Sequence, residues 1–457
     1  MACIILLSDT FSKHKNSAAA YFLSLITLAV AAALTLAITP IVDQTIFNDS
    51  FIVDRFACQL KLVMYLLLAA IFIYSRMYLQ QRDTLHSEFF SLTLFSLLGM
   101  MFLISCGNFL TLYLGLELLV LPLYAMIVLV KNQIKYIEAA MKYFVIGSLG
   151  AGLLLYGISL IYGATGTISF SNVAVAADLT NLLNLGVLFV ISGVALEFGA
   201  VPFHMWLPDV YEGSPTTVTM VVGTITKIAI FAMTYRLLTL AFPVLNANWQ
   251  QLFMIMALIS VVLGNIMAIA QSNIKRMLAY STIGHVGFIL LGLFAAPQQG
   301  YTAVIFYTVV YAFMALAAFA MIMRLTSAGF EADQIADFRG LNQRDPWLAF
   351  IMLLIMFSLA GVPPLLGFYA KFLILQAIVD AGYSWMAIVA LLATVIGAFY
   401  YLRVVWLMYF ETSSDAMLKP PSMTIAAKAL VSVHGVLLLA LGIFPAPILY
   451  FCLGMFK

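Results

Sequence analysis

Ser358-Leu-Ala-Gly-Val-Pro-Pro-Leu-Leu-Gly-Phe-Tyr-Ala-Lys-Phe372 lies inside an apolar stretch, 346–379, that is long enough to cross a bilayer. Proline has no amide hydrogen to give a helix and crowds the carbonyl one turn back, so Pro363 and Pro364 must break the span at membrane depth. Lys371 follows closely, with no carboxylate beside it in sequence. An ammonium at the bilayer centre costs roughly 2.5–3.5 kcal/mol on insertion scales, so this charge is expected to face a polar interior. The stretch specifies a broken membrane helix with a working charge. Lys227 poses the same problem inside the apolar run 214–241.

Composition extends that reading to the whole chain. Of the 457 residues, 64% are hydrophobic and 9% charged, and the mean hydropathy is +1.09. A bilayer core takes about 20 apolar residues per helix. Runs that meet this requirement fall at 19–41, 57–76, 89–106, 108–131, 138–162, 181–206, 214–241, 250–270, 274–295, 300–325, 346–379, 383–411 and 425–453. Met1 to Leu7 is apolar but too short to span, and Lys13 and Lys15 follow it, whereas a signal peptide carries its charges in front. It is expected to be the tail of a first helix, which brings the count to about 14 spans with the first truncated. A closed barrel is excluded, because its strands would alternate polar and apolar residues. The longest polar connections, 42–56, 163–180 and 326–345, are of loop length. The expectation is an all-α polytopic bundle over 1–457, with no soluble domain.

Charge placement then gives orientation. The net charge of +2 is scattered, so nothing points to nucleic acid. Counting the remnant as the first helix, odd-numbered loops hold Lys13 and Lys15, Arg76 and Arg82, Lys131 and Lys135, Lys275 and Arg276, Arg339 and Arg344, and Lys419; Arg55 is the main exception. The positive-inside rule puts those loops in the cytoplasm and both termini outside. Cys3, Cys58, Cys106 and Cys452 stand singly in apolar surroundings, without metal-ligand spacing, and are expected to pack. No phosphate-cradling glycine loop or haem-attachment spacing occurs, so redox cofactors and nucleotides must be handled by other chains.

A second interrupted span, Glu197-Phe-Gly-Ala-Val-Pro-Phe-His-Met-Trp-Leu-Pro208, matches the first in kind. Freed backbone groups in lipid need polar side chains or water, so both breaks should line hydrated cavities. Interrupted helices at corresponding positions of two halves, here 89–241 and 250–411, point to an ion pathway. Desolvation makes a buried lysine easier to deprotonate and a buried carboxyl easier to protonate, so both types can carry protons. Thr224, Thr226, Ser281, Thr282 and His285 supply polar neighbours for water chains. Plainer readings stand beside these. Glu117, deep in its span, could hold a structural ion pair. Lys142, Arg236 and Arg403 sit where they could snorkel to an interface. Lys275 and Arg276 are expected to anchor topology, and His204 and His285 to pack or relay, with His285 the better relay.

Three motifs carry a family resemblance: Val201 to Pro215, Asn273-Ile-Lys-Arg-Met-Leu-Ala-Tyr-Ser-Thr-Ile-Gly-His-Val-Gly287, and Leu359 to Phe372. Together, and in this order, the chain resembles the antiporter-like membrane subunits of respiratory complex I over nearly its whole length. Lys371, where the M branch typically has glutamate, and the lack of a long lateral C-terminal helix favour the N branch. The resemblance implies fourteen helices with two inverted five-helix repeats, broken seventh and twelfth helices, and protonatable residues along the membrane centre. It implies proton-translocating roles for Glu117, Lys142, Lys227 and Lys371. Glu197 departs from the pattern, standing where the family usually has lysine, so a site coupled between Glu117 and Glu197, with Lys142 or Lys227 as counter-ion, is expected. His285 joins them as a connecting site. No cofactor or metal is expected on this chain; NADH, a flavin, iron–sulfur clusters and quinone would be bound by other subunits. Partners would be neighbouring membrane subunits and the lipid of a bacterial inner membrane. Two rivals remain, a subunit of a monovalent cation/proton antiporter and a membrane anchor that transports nothing.

Overall fold

Alternating apolar runs and short loops fold here into a bundle of long helices. The computed structural model describes residues 1–11, 17–40, 42–81, 86–130, 133–175, 181–243, 246–299, 301–326, 330–412 and 425–456. Lys13, Lys15, Arg82, Lys131 and Lys419 lie outside them. In chain order the helices are α1 (Ala2–Phe11), α2 (Ser17–Ile38), α3 (Arg55–Gln81), α4 (Ser87–Ile104), α5 (Phe109–Ile127), α6 (Ile134–Thr165) and α7 (Phe170–Val175). Then come α8 (Asn181–Phe198), α9 (Trp206–Gly213), α10 (Thr216–Gly223), α11 (Ile225–Arg236), α12 (Asn246–Ile269), α13 (Ile274–Gln299) and α14 (Thr302–Leu325). The last are α15 (Leu341–Arg344), α16 (Pro346–Ala360), α17 (Leu366–Asp380), α18 (Ser384–Phe410), α19 (Ile425–Ile443) and α20 (Ala446–Leu453). The all-α reading holds except for one small antiparallel hairpin, β1 (Gln44–Ile46) with β2 (Phe51–Val53), whose turn places Asn48 and Asp49 in the left-handed region.

Among the described residues, 11 helices are long and apolar enough to cross a membrane, or up to 12 if the bent pair α19 and α20 is one span. The stretch 346–379 is not one helix: α16 and α17 have 15 residues each, separated at the proline pair. The pair α19 and α20, bent by 81°, is a break that the apolar run 425–453 concealed. Helix α1 packs against α4 and α2.

The bundle has a clear inside. The most apolar 18-residue stretches of Thr216–Ala241 and Ile274–Ala296 are wholly buried, whereas only 22% and 33% of the corresponding stretches of Ala18–Ile38 and Ile134–Thr165 are covered. Helices α10, α11, α13 and α14 therefore form the centre. Close approach of some pairs depends on glycine: a Cβ on Gly264 would meet the Gly284 nitrogen at 2.6 Å, and one on Gly157 the Gly186 oxygen at 2.7 Å. Small residues of this kind let membrane helices pack backbone to backbone.

The loops gather at two ends. At one, Asp54 meets Arg236, Asn108 bonds Ser50, and Phe109 bonds Ile168. At the other, Tyr78, Lys135, Thr216 and Lys275 converge on Glu331, and Gly340 bonds Leu407. The described basic loop residues Lys135, Lys275, Arg276, Arg339 and Arg344 all belong to this second end.

Candidate functional site

The site begins with the carbonyls that two helix breaks leave over. Helix α8 ends at Phe198, and Gly199 takes φ +72°, a conformation that costs residues with a side chain but not glycine. In the last turn, Leu196 oxygen accepts from Trp206 Nε1 at 3.0 Å. Glu197 and Phe198 oxygens accept from Lys227 Nζ at 3.1 and 3.0 Å. Lys227 is completely buried and lies 5.3 Å from the Trp206 ring, which is stacked on Tyr143. The ammonium thus satisfies the helix end, and the helix end solvates the ammonium.

The second break repeats this arrangement. Helix α16 ends at Ala360, Gly361 takes φ +88°, and Lys371 Nζ donates to Leu359 and Ala360 oxygens at 3.0 and 2.9 Å. Gly361 and Val362 amides cover the carbonyl of Phe357, and Gly367 nitrogen bonds Ser358 Oγ at 3.2 Å. Two lysines on different helices, α11 and α17, therefore hold equivalent pairs of consecutive carbonyls. Each negative helix C-terminus faces a cation, the favourable sense of the helix dipole.

Between these lysines runs a polar seam through the buried centre. Tyr311 donates to Gly223 oxygen at 3.2 Å and to Thr282 Oγ1 at 2.9 Å. One turn along α13, His285 Nδ1 meets Tyr307 at 2.7 Å and Nε2 meets Tyr401 at 3.4 Å. Tyr401 also bonds Ser281, and the charge felt at His285 is that of Lys371. Hydroxyls and imidazole can pass protons along such a row, each group donating on one side as it accepts on the other.

Glu197 is 5% exposed, and the charges acting on it are those of Lys227 and Glu117. Glu117 is half-buried on α5, and Tyr124 feels both carboxylates. Lys142 stands apart from this group. Its ammonium is at the bundle's basic-loop end, 2.8 Å from both Glu138 and Asp209, so the counter-charge beside Glu197 is Lys227.

One expectation is corrected, and two further basic residues are located. Arg236 does not snorkel: it is 4% exposed, with its guanidinium forked onto Asp54 at 2.7 Å twice and Nε on Ile104 oxygen. Lys275 stands at the basic-loop end, as a topology anchor would, and is completely buried there, bonded to Ser214 oxygen at 3.0 Å and 3.5 Å from Glu331. Arg403 is half-buried and reaches the Ile269 and Gln271 oxygens at the loop end of α12, a placement compatible with snorkelling. His204 is half-buried, and its Nδ1 has no partner among the described residues.

Sequence reasoning missed the tyrosines of the seam and also Lys61, which is 6% exposed and 2.6 Å from Ser105 Oγ. Tyr307 and Tyr311 were findable, since one helical turn separates them on one face of an otherwise apolar span. The four cysteines are free, with Cys58, Cys106 and Cys452 buried and Cys3 exposed. Among the described residues, no group of three or more His, Cys, Asp or Glu side chains could hold a metal ion.

Comparison with known proteins supplies an independent line. The membrane family described as NADH:quinone oxidoreductase/Mrp antiporter, TM, matches residues 106–397. An NADH-quinone oxidoreductase subunit N from Thiobacillus denitrificans is 49% identical over 456 residues, 99% of this chain and 94% of that protein. A chain of respiratory complex I from Thermus thermophilus superposes with a TM-score of 0.84 at 30% identity, covering 98% of this chain and 96% of that one. A chain of the Mrp complex from Dietzia sp. DQ12-45-1b gives 0.85 at 21% identity, over 99% and 95%, which is likeness of fold alone.

Proposed function

The chain belongs to the NADH:quinone oxidoreductase/Mrp antiporter membrane family, and from that premise we propose that it is a proton-translocating membrane subunit of a respiratory NADH:quinone oxidoreductase. Electron transfer from NADH to quinone takes place in partner subunits, which hold the flavin, iron–sulfur clusters and quinone. One observation carries the assignment: two ammonium groups are each lodged on the carbonyls of a helix break, and the buried helices packed beside them carry a cluster of hydroxyls and an imidazole. Moving one charge against 100 mV costs about 2.3 kcal/mol, which changes in the burial or pairing of a few such charges can supply.

Glu117, Glu197, Lys227, His285 and Lys371 form the proton line, with Glu117 and Glu197 acting as one site and Lys227 as the counter-charge beside Glu197. Lys142 links this line to the basic-loop end. The full set of fourteen helices, arranged as two inverted repeats over 89–241 and 250–411, and both termini on the periplasmic side, complete the proposal. The similar Gly-to-Pro interruptions at Gly199–Pro202 and Gly361–Pro364 support the repeat.

Lys227→Ala and Lys371→Ala, each in the assembled complex, test the assignment against its rivals in inverted membrane vesicles. Loss of NADH-driven lumen acidification, independent of sodium, is expected. Sodium-dependent exchange without NADH would favour a cation/proton antiporter, and undiminished pumping in both variants would favour an inert anchor.

A further inference from the structure

The central seam needs a supply of protons, and its described hydrogen bonds do not reach a surface. The basic-loop end holds a cavity of about 290 Å³ lined by Lys135, Lys142, Asp209, Glu212, Arg276 and Asp333. Behind this lining, two residues before Asp333 and paired with Lys135, lies Glu331. Lys135 reaches its Oε2 at 3.2 Å, while its Oε1 receives Tyr78 at 3.1 Å and Thr216 at 3.4 Å and lies 3.5 Å from Lys275. The segment carrying Glu331 is fixed from behind: Ile274 nitrogen bonds Asp333 oxygen at 2.7 Å, and Ile335 nitrogen bonds Ser272 oxygen at 2.9 Å. This carboxylate is therefore held by side chains of four helices, one of which, Lys135, also lines the cavity.

Inward from Glu331, the buried side chains show an unusual feature. Ser214 Oγ and Thr217 Oγ1 are buried polar atoms with no hydrogen-bond partner among the described residues, and the buried Tyr211 hydroxyl makes no close hydrogen bond, with Thr282 its nearest candidate partner. Their residues are 0%, 1% and 0% exposed. An unmade hydrogen bond at such a site costs about 1–3 kcal/mol, and polar, enclosed positions of this kind take bridging water. The three are not scattered. Ser214 carries the carbonyl that Lys275 holds, and Thr217 follows Thr216, which donates to Glu331. The Tyr211 hydroxyl lies beside Gly223, where an added Cβ would stand 3.0 Å from it, and it neighbours Thr282 and Tyr311. From Thr217 to Gly223 the helix rises roughly 9 Å, a gap that a few waters bridge. Tyr311 already bonds both Gly223 and Thr282, so the row ends on the seam between Lys227 and His285.

We propose that Glu331 is the inlet of a proton path from the basic-loop face, running by Ser214, Thr217 and Tyr211 to the central seam. Lys275 is its positioning partner, holding Glu331 ionised until a proton arrives from the cavity. Glu331 then releases that proton inward, and each hydroxyl gives up one proton as it accepts another, so no charge is left along the row. The inference rests on the translocation reading above.

The test uses the assembled complex in inverted vesicles, with NADH oxidation by a soluble acceptor reporting assembly. Glu331→Gln keeps the shape and hydrogen bonds but cannot carry a proton. It is expected to lose NADH-driven proton uptake, and Glu331→Asp to recover most of it. Tyr211→Phe combined with Thr217→Val removes two hydroxyls at nearly constant volume, is expected to slow uptake, and decides the matter if Glu331→Gln fails to assemble. Wild-type uptake in the hydroxyl-deleted variant, with Lys227→Ala still defective, would overturn the inlet and leave the parent reading standing. Wild-type uptake in Lys227→Ala would overturn the parent reading itself.

Discussion

A bilayer tolerates an ammonium only where oxygen surrounds it, and both central lysines find that oxygen in carbonyls released by a broken helix. Gly361 makes room for one of them. A Cβ there would meet Lys371 Cδ at 2.9 Å, and alanine at φ +88° adds roughly 1–2 kcal/mol of backbone cost. Gly361→Ala is accordingly expected to displace Lys371 and reduce pumping, read as NADH-driven lumen acidification, with the quantity of complex in the membrane measured alongside. The Asp54–Arg236 pair makes a different, structural demand. Removing one member of a buried pair typically costs about 3–5 kcal/mol, because the other charge is left unpaired. Asp54→Asn should therefore lower the thermal stability of the detergent-solubilised complex. Asp54→Leu combined with Arg236→Leu should lower it less.

At the level of elements, the breaks were the legible part of the chain. Proline pairs and glycines inside apolar runs announce where a helix must stop, and Gly199 and Gly361 stop theirs in the left-handed conformation. What the breaks are for was less legible, because the partners of the freed carbonyls come from elsewhere in the chain. Lys227 reaches α8 from α11, and nothing in the local sequence around 197 shows it. The burial of Lys275 was hidden for a similar reason. A lysine at the start of a helix looks like a surface anchor until the loop carrying Glu331 folds back over it. Pro445, at the bend between α19 and α20, went unnoticed since the flanking residues are uniformly apolar. The tyrosines of α14 and α18 yield a prediction at this scale. Tyr307→Phe and Tyr401→Phe each remove a hydroxyl from His285, worth about 1 kcal/mol of stability. Both should assemble normally and slow pumping, measured as initial rates of lumen acidification; unchanged rates in both would remove His285 from the relay.

Over the whole molecule, burial and charge are arranged along two directions. Across the bundle, the central spans carry Lys227 and His285, and α8 and α17, which pack against them, carry Glu197 and Lys371, while outer helices such as α2 and α6 turn apolar surface outward. Along it, Lys135, Lys275, Arg276, Arg339 and Arg344 gather at one end, and the β-hairpin lies at the other with Arg55 beside it. Cysteine placed at Thr45 in the hairpin should accordingly react with an impermeant maleimide in intact cells, and cysteine at Gln343 only after permeabilisation. The reverse pattern would invert the proposed orientation.

The central claim is that the lysines at the breaks carry protons and do not merely lock helices together. Arginine keeps the charge and the hydrogen bonds but does not release its proton in proteins, so it separates the two roles. The most direct measurement compares NADH-driven proton translocation by Lys227→Arg and Lys371→Arg complexes of unaltered assembly and thermal stability. The account predicts that both variants assemble but fail to translocate protons; pumping at the unmodified rate in either would contradict it.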